Sequence, residues 1–123
     1  MAELKYEDIT RTIIGCGMKV HSYLGLGFPE IIYQRCLTIE LDRSGLSFSS
    51  EIQKEIMYEG IKVGFRKLDL LVENKVIVEL KATGEIEPAH QNQILNYLRV
   101  FNLEVGLLLN FGQTSLKFKR FVR

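Results

Sequence analysis

KLDLLVENKVIVELK, residues Lys67 to Lys81, is the stretch on which the reading of this chain turns. Side chains of a strand alternate between two faces, so the apolar runs flanking Glu73-Asn74-Lys75 read as the arms of a hairpin. Pairing Val72 with Val76 sets Asp69 opposite Glu79 and Lys67 opposite Lys81. The other face then carries Leu68, Leu70 and Val72 against Val76, Val78 and Leu80, uniformly apolar. A turn one residue shorter would part Asp69 from Glu79 and mix polar with apolar residues on both faces, which register resists. The core pattern alone therefore selects the register that unites Asp69, Glu79 and Lys81.

Two carboxylates facing each other at ~5 Å repel by about 3 kcal/mol at an effective dielectric near 20. A divalent cation reverses that sign. Few, hard oxygen ligands with positions left for water and phosphate suit magnesium or manganese. On this reading Asp69 and Glu79 hold the metal together with the backbone carbonyl of Leu80. Lys81 orients or deprotonates the attacking water and offsets charge on a pentacoordinate phosphate. The plainer alternative is a cross-strand acid paired with Lys67 or Lys81 in a partly exposed salt bridge.

Upstream, the spacing of Ile9, Ile13, Cys16, Val20 and Leu24 predicts a helix from about Tyr6 to Leu24, broken by Gly25 and Gly27. Pro29 opens a second helix that runs to about Ser44, with Ile32, Cys36 and Ile39, or a close neighbour of that set, as its expected inward stripe. Glu30 falls in its first turn, where the helix dipole favours an acid; Tyr33 and Leu37 share its side, which is the alternative face toward the protein. Strands are expected over Glu51 to Tyr58, Ile61 to Val72 and Val76 to Ala82. Downstream, a helix from about Pro88 to Phe101 buries Ile94, Leu98 and Phe101. His90, Gln93 and Tyr97 cluster on one flank of that stripe. Gln93 is placed to hold a water or a phosphate, and the Tyr97 hydroxyl to donate to a phosphate oxygen; both also suit a boundary between core and solvent. Short strands follow at Val105 to Asn110 and Leu116 to Val122. The order α-α-β-β-β-α-β-β predicts an α/β fold with a central mixed β-sheet flanked by helices.

The 123 residues suit a single domain over 1–123, with a core that needs no disulfide or zinc. Net charge is +1, so any attraction to nucleic acid must come from a local patch. Cys16 and Cys36 lack metal-ligand or redox spacing and read as packed thiols of a reducing compartment. Met1 to Asp8 lacks the apolar core of a signal peptide, and no run approaches the ~20 apolar residues of a membrane span, so a cytoplasmic protein without membrane contact is expected. No serine stands in a nucleophile elbow, His21 and His90 have no zinc partners, and no glycine cluster follows a strand. The basic end, Lys117, Lys119, Arg120 and Arg123, reads equally as a phosphate track or as a charge-protected edge strand.

Gly27-Phe28-Pro29-Glu30-Ile31-Ile32-Tyr33 resembles the G-x-x-E-x-x-Y helix start of the GxxExxY proteins, small members of the PD-(D/E)XK nuclease superfamily. The resemblance extends through the Asp69 strand, Glu79-Leu80-Lys81 and the Q-x-x-x-Y helix at Gln93 to Tyr97. It implies a restriction-endonuclease-like fold and a magnesium- or manganese-dependent nuclease acting on phosphodiester bonds in DNA. Glu30 would be the helix-borne acid and a candidate further metal ligand, Asp69 and Glu79 the metal ligands, and Lys81 the catalytic lysine. Gln93 and Tyr97 look like the motif that follows the hairpin in the exonuclease-type branch. Leu68 stands where the superfamily's name has proline. So small a chain has little surface for a long duplex, so a homodimer or a partner protein would help it. The alternative function is a non-catalytic module on the same scaffold that binds nucleic acid or protein.

Overall fold

Val76–Lys81 and Val105–Asn110 are the most completely buried strands, and they lie side by side as the parallel centre of the sheet. A strand whose residues are buried on both faces needs cover on both, and helices supply it. The computed structural model describes residues 5–123. These residues form α1 (Glu7–Leu24), α2 (Glu30–Arg43), β1 (Phe48–Tyr58), β2 (Ile61–Val72), β3 (Val76–Lys81), α3 (Pro88–Val100), β4 (Val105–Asn110) and β5 (Lys117–Val122). The strands make one mixed sheet in the order β1-β2-β3-β4-β5, antiparallel except for β3 and β4. The parallel pair is bridged by α3, as a crossover between parallel strands requires. This is the central mixed sheet flanked by helices that the element order predicts, and the restriction-endonuclease-like α/β fold that the resemblance implies.

The sheet divides two cores. Beneath α1 and α2 lie Leu70, Val72, Val76, Val78, Leu80, Val105, Leu107 and Leu109, packed with Ile13, Val20, Tyr33, Leu37 and Leu41. Beneath α3 lie Leu68, Ile77, Leu108 and Phe121, packed with Ile94, Tyr97 and Leu98. Gly106 lets α3 close on β4, since a Cβ there would press on the Ile94 side chain.

Three expectations are corrected. The buried face of α2 is Tyr33, Gln34, Leu37 and Leu41, while Ile39 is 51% exposed and Ile32 and Cys36 are only half-buried. The stripe is rotated because Tyr33 anchors the helix: its hydroxyl donates to the Gly25 carbonyl at 2.6 Å and its ring stacks on Phe111. Leu68 does not share a face with Leu70, as simple alternation implied, but packs under α3 with Ile77. The reason is a break in β1–β2 pairing at Glu51, which takes a left-handed backbone (φ 55) opposite Asp69 and upsets the alternation there. β1 also begins three residues earlier than expected, because Phe48 pairs with Val72.

Candidate active site

β2 and β3 pair in the expected register, Leu70 with Val78, Leu71 with Ile77 and Val72 with Val76, and there the ladder stops. Past it, side chains replace backbone partners. The Asp69 amide donates to Glu79 Oε1 at 3.1 Å, and the Leu80 amide donates to Asp69 Oδ2 at 2.9 Å. The two acids are thereby held together where the strands separate. Lys67 does not lie in a ladder pair with Lys81; its ammonium bonds Glu51 at 3.0 Å instead.

Glu79 is only 4% exposed, yet among the described residues neither it nor Asp69 is in an ion pair. The cross-strand salt bridge of the plainer alternative forms between Lys67 and Glu51, and it includes neither Asp69 nor Glu79. Burial, then the neighbouring Asp69 charge, pushes the Glu79 carboxyl up to about 9, against the small opposing effects of the Asp69 amide and Lys81. The pair holds a proton where a cation could stand.

α3 supplies the facing wall. Lys81 Nζ donates to Gln93 Oε1 at 3.4 Å, and Gln93 Nε2 donates to the Tyr97 hydroxyl at 2.9 Å. Residues four apart on a helix share a face, which is why Gln93 can span the two. Tyr97 accepts from Gln93, so its own hydroxyl hydrogen remains to be donated. Burial and the nearby Glu79 charge raise its pKa, so that hydrogen stays on. His90 is turned to another purpose: its Nδ1 accepts the Glu87 amide at 3.1 Å, half of a capping box at the start of α3.

Glu30 is not drawn into this cluster. It stands exposed at the first position of α2, and among the described residues no three His, Cys, Asp or Glu side chains converge as a metal-holding group. One turn on, the buried Gln34 does reach the site, with Nε2 donating to Glu51 Oε1 at 3.1 Å and approaching the Asp69 carbonyl at 3.5 Å. Five of the six sequence-predicted side chains, Asp69, Glu79, Lys81, Gln93 and Tyr97, are thus brought together.

Asn110 escaped the sequence reading. Fully buried, and paired in register with Lys81 on the neighbouring strand, it accepts the Thr83 amide through Oδ1 at 3.1 Å. Through Nδ2 it donates to the Thr83 carbonyl at 3.0 Å, and its Oδ1 also accepts the Gly112 amide at 3.0 Å. Any side chain at Gly112 would run into the Ala82–Thr83 backbone. Together they clamp the chain just beyond Lys81. The available sign was a lone amide ending an otherwise apolar strand.

The donor set suits a small hard cation: two carboxylates and backbone oxygen, one acid buried without a positive partner. A separate cavity of about 640 Å³ between α1 and α2, lined by Tyr23, Cys36 and Ile39 among others, shares no residue with this cluster.

In its fold the chain is similar to the crystal structure of SSO0001, with a TM-score of 0.60 and 19% identity over 97% of this chain. It spans 60% of the length of that chain. Residues 7–121 match the family model of the PD-(D/E)XK nuclease superfamily, and the chain belongs to that superfamily. No curated protein matches it in sequence. Nucleases of that superfamily generally use divalent metals. No helix among the described residues is long and apolar enough to cross a membrane.

Proposed function

We infer that this chain is a magnesium- or manganese-dependent nuclease that hydrolyses phosphodiester bonds in DNA, of the GxxExxY group within its superfamily, folded as one domain over 1–123 and working in the cytoplasm. What carries the reading is the Asp69–Glu79 pair. A buried carboxyl held protonated beside a second acid is a costly arrangement for a structural protein and a useful one for a metal enzyme.

Asp69, Glu79 and the Leu80 carbonyl would hold the ion, and Glu79 gives up its proton as it does so. When bound, such an ion offsets the two negative charges and supplies Lewis acidity to the phosphodiester. Lys81 places its ammonium on the same face as Glu79, where it orients the attacking water and stabilises charge on the phosphate. Gln93 keeps Lys81 and Tyr97 in line through its two amide ends. Tyr97 donates its free hydroxyl hydrogen to a phosphate oxygen. Glu30, exposed at the head of α2, would act from the rim as the helix-borne acid.

The deciding experiment incubates single-stranded, duplex and branched DNA with the protein in magnesium or manganese, comparing wild type with Glu79→Ala and Lys81→Ala. Metal-dependent cleavage by wild type alone supports the reading. Cleavage that both variants retain, or none by any of the three, overturns it.

A further inference from the structure

The β1–β2 ribbon outruns the rest of the sheet. β2 pairs with β3 only over Leu70–Val72, whereas its pairing with β1 continues out to Tyr58 and Ile61. One face of the ribbon is fixed by its root, because Leu68 packs under α3 with Ile94 and Tyr97. Two residues further along, Lys54 and Arg66 are register partners on that same face. Arg66 Nε reaches Asn96 Oδ1 on α3 at 3.1 Å, which fixes the direction independently.

Two cations directly opposite each other weaken a strand pair. Among the described residues neither has an acidic partner, whereas Lys62 and Lys67 of the same ribbon bond Glu55 and Glu51 at 3.2 and 3.0 Å. Sheet stability therefore gives no reason for Lys54 and Arg66 to face each other. Anchoring through Nε leaves the terminal guanidinium nitrogens of Arg66 free to fork onto a phosphate. A recess of about 250 Å³ opens beside it between ribbon and α3, lined by Ile56, Gly64, Phe65 and Val100 with Asn96. Arg66 stands three residues from Asp69 along β2, roughly 10 Å at strand rise. That is the reach of a neighbouring phosphate rather than the scissile one.

We propose that the ribbon and α3 form a subsite for one unpaired nucleotide, with its phosphate on Lys54 and Arg66 and its base in the recess. This rests on the nuclease reading above and narrows its substrate to single-stranded DNA or an unpaired end. The recess is lined by the apolar side chains of Ile56, Val63, Phe65 and Val100 and in near-equal part by polar atoms, among them those of Asn96 and Arg66, which suits a flat base with a polar edge. Its volume of about 250 Å³ has room for a base. Binding of this kind tolerates any sequence, because every base offers an apolar face.

The test measures anisotropy of a labelled single-stranded DNA and of the same sequence as a blunt duplex, in magnesium. A Lys81→Ala background keeps both carboxylates and prevents turnover. Lys54→Ala and Arg66→Ala should each weaken single-strand binding about tenfold and flatten its salt dependence by about 0.7 in log–log slope. Gly64→Leu grows into open space without a clash; it should fill the recess, weaken the single strand and leave melting temperature unchanged. The duplex should bind more weakly than the single strand throughout. Single-strand binding unaffected by these three changes, or a duplex bound equally well through them, overturns the subsite while leaving the nuclease reading in place. Failure of both DNAs to bind removes that reading and the subsite with it.

Discussion

Glu79 accepts the Asp69 amide at 3.1 Å while its carboxyl, almost wholly buried, lies against the Asp69 side chain with no cation among the described residues paired to either. One hydrogen bond thus ties together two groups whose charges repel. The backbone ladder ends at Leu70 and Val78, so this contact and its counterpart from Leu80 to Asp69 keep the strands in step for one more residue. Folding brings the acids together and leaves one of them protonated.

Stability of the metal-free protein should therefore fall as pH rises. The folded pKa of Glu79, about 9, lies above its unfolded value near 4.5. The native state thus holds an extra proton between those limits. Its contribution is complete below about 4.5 and is lost as pH climbs through about 9, at a slope of up to about 1.4 kcal/mol per pH unit. Glu79→Gln keeps an acceptor for the Asp69 amide and has no charge to desolvate. Urea denaturation across this range should give a flatter profile for the variant, and parallel profiles would contradict the assignment of the proton to Glu79.

Magnesium or manganese should raise the melting temperature of wild type and leave Glu79→Gln and Asp69→Asn unmoved. At a hundredfold excess over Kd the gain is about 2.7 kcal/mol, or roughly 10 °C for a domain of this size. Isothermal titration in buffers of different ionisation enthalpy should also reveal a released proton, because Glu79 must ionise to hold the ion. An equal shift in all three proteins would mean that the metal binds elsewhere.

Lys81→Ala should separate binding from chemistry. The metal-induced thermal shift should persist, since the ammonium is no ligand, while kcat falls by about 10²- to 10³-fold as charge stabilisation is lost. Gln93→Ala should cost less, because it removes only the amide that aligns Lys81 and Tyr97. Loss of the thermal shift in Lys81→Ala would place the lysine in folding of the site rather than in turnover.

Asn110→Leu should destabilise the chain by about 1–3 kcal/mol, since the half-buried Thr83 amide and carbonyl would lose their partner. Gly112→Ala should be comparably harmful because its methyl meets the Ala82–Thr83 backbone. Chemical denaturation measures both. A neutral Asn110→Leu would show that the strand end relaxes and that water replaces the amide.

The hairpin register was legible before folding was considered, because one face of Lys67–Lys81 had to be apolar and only one pairing made it so. The element order and a mixed sheet were legible from the alternation of helical and strand periodicity; that Val76–Lys81 and Val105–Asn110 pair in parallel was shown only by the fold. Helical periodicity put His90, Gln93 and Tyr97 on one flank of α3; Gln93 and Tyr97 share a hydrogen-bonded chain with Lys81, whereas His90 caps the helix.

Other features depend on distant contacts that no local pattern encodes. Periodicity offered α2 two neighbouring stripes, and the choice fell to Tyr33 because Gly25 and Phe111 were there to receive it. The turning of Leu68 toward α3 follows from a break in β1 at Glu51, eighteen residues before Asp69. Asn110 gained its place from Thr83, to which it is joined only once β4 lies beside β3. Alternation and helical repeat are local steric rules and can be read along the chain. The protonation of Glu79, the exposure of Glu30 and the clamp behind Lys81 are set by desolvation and packing among remote segments, and these take values only when the chain has folded.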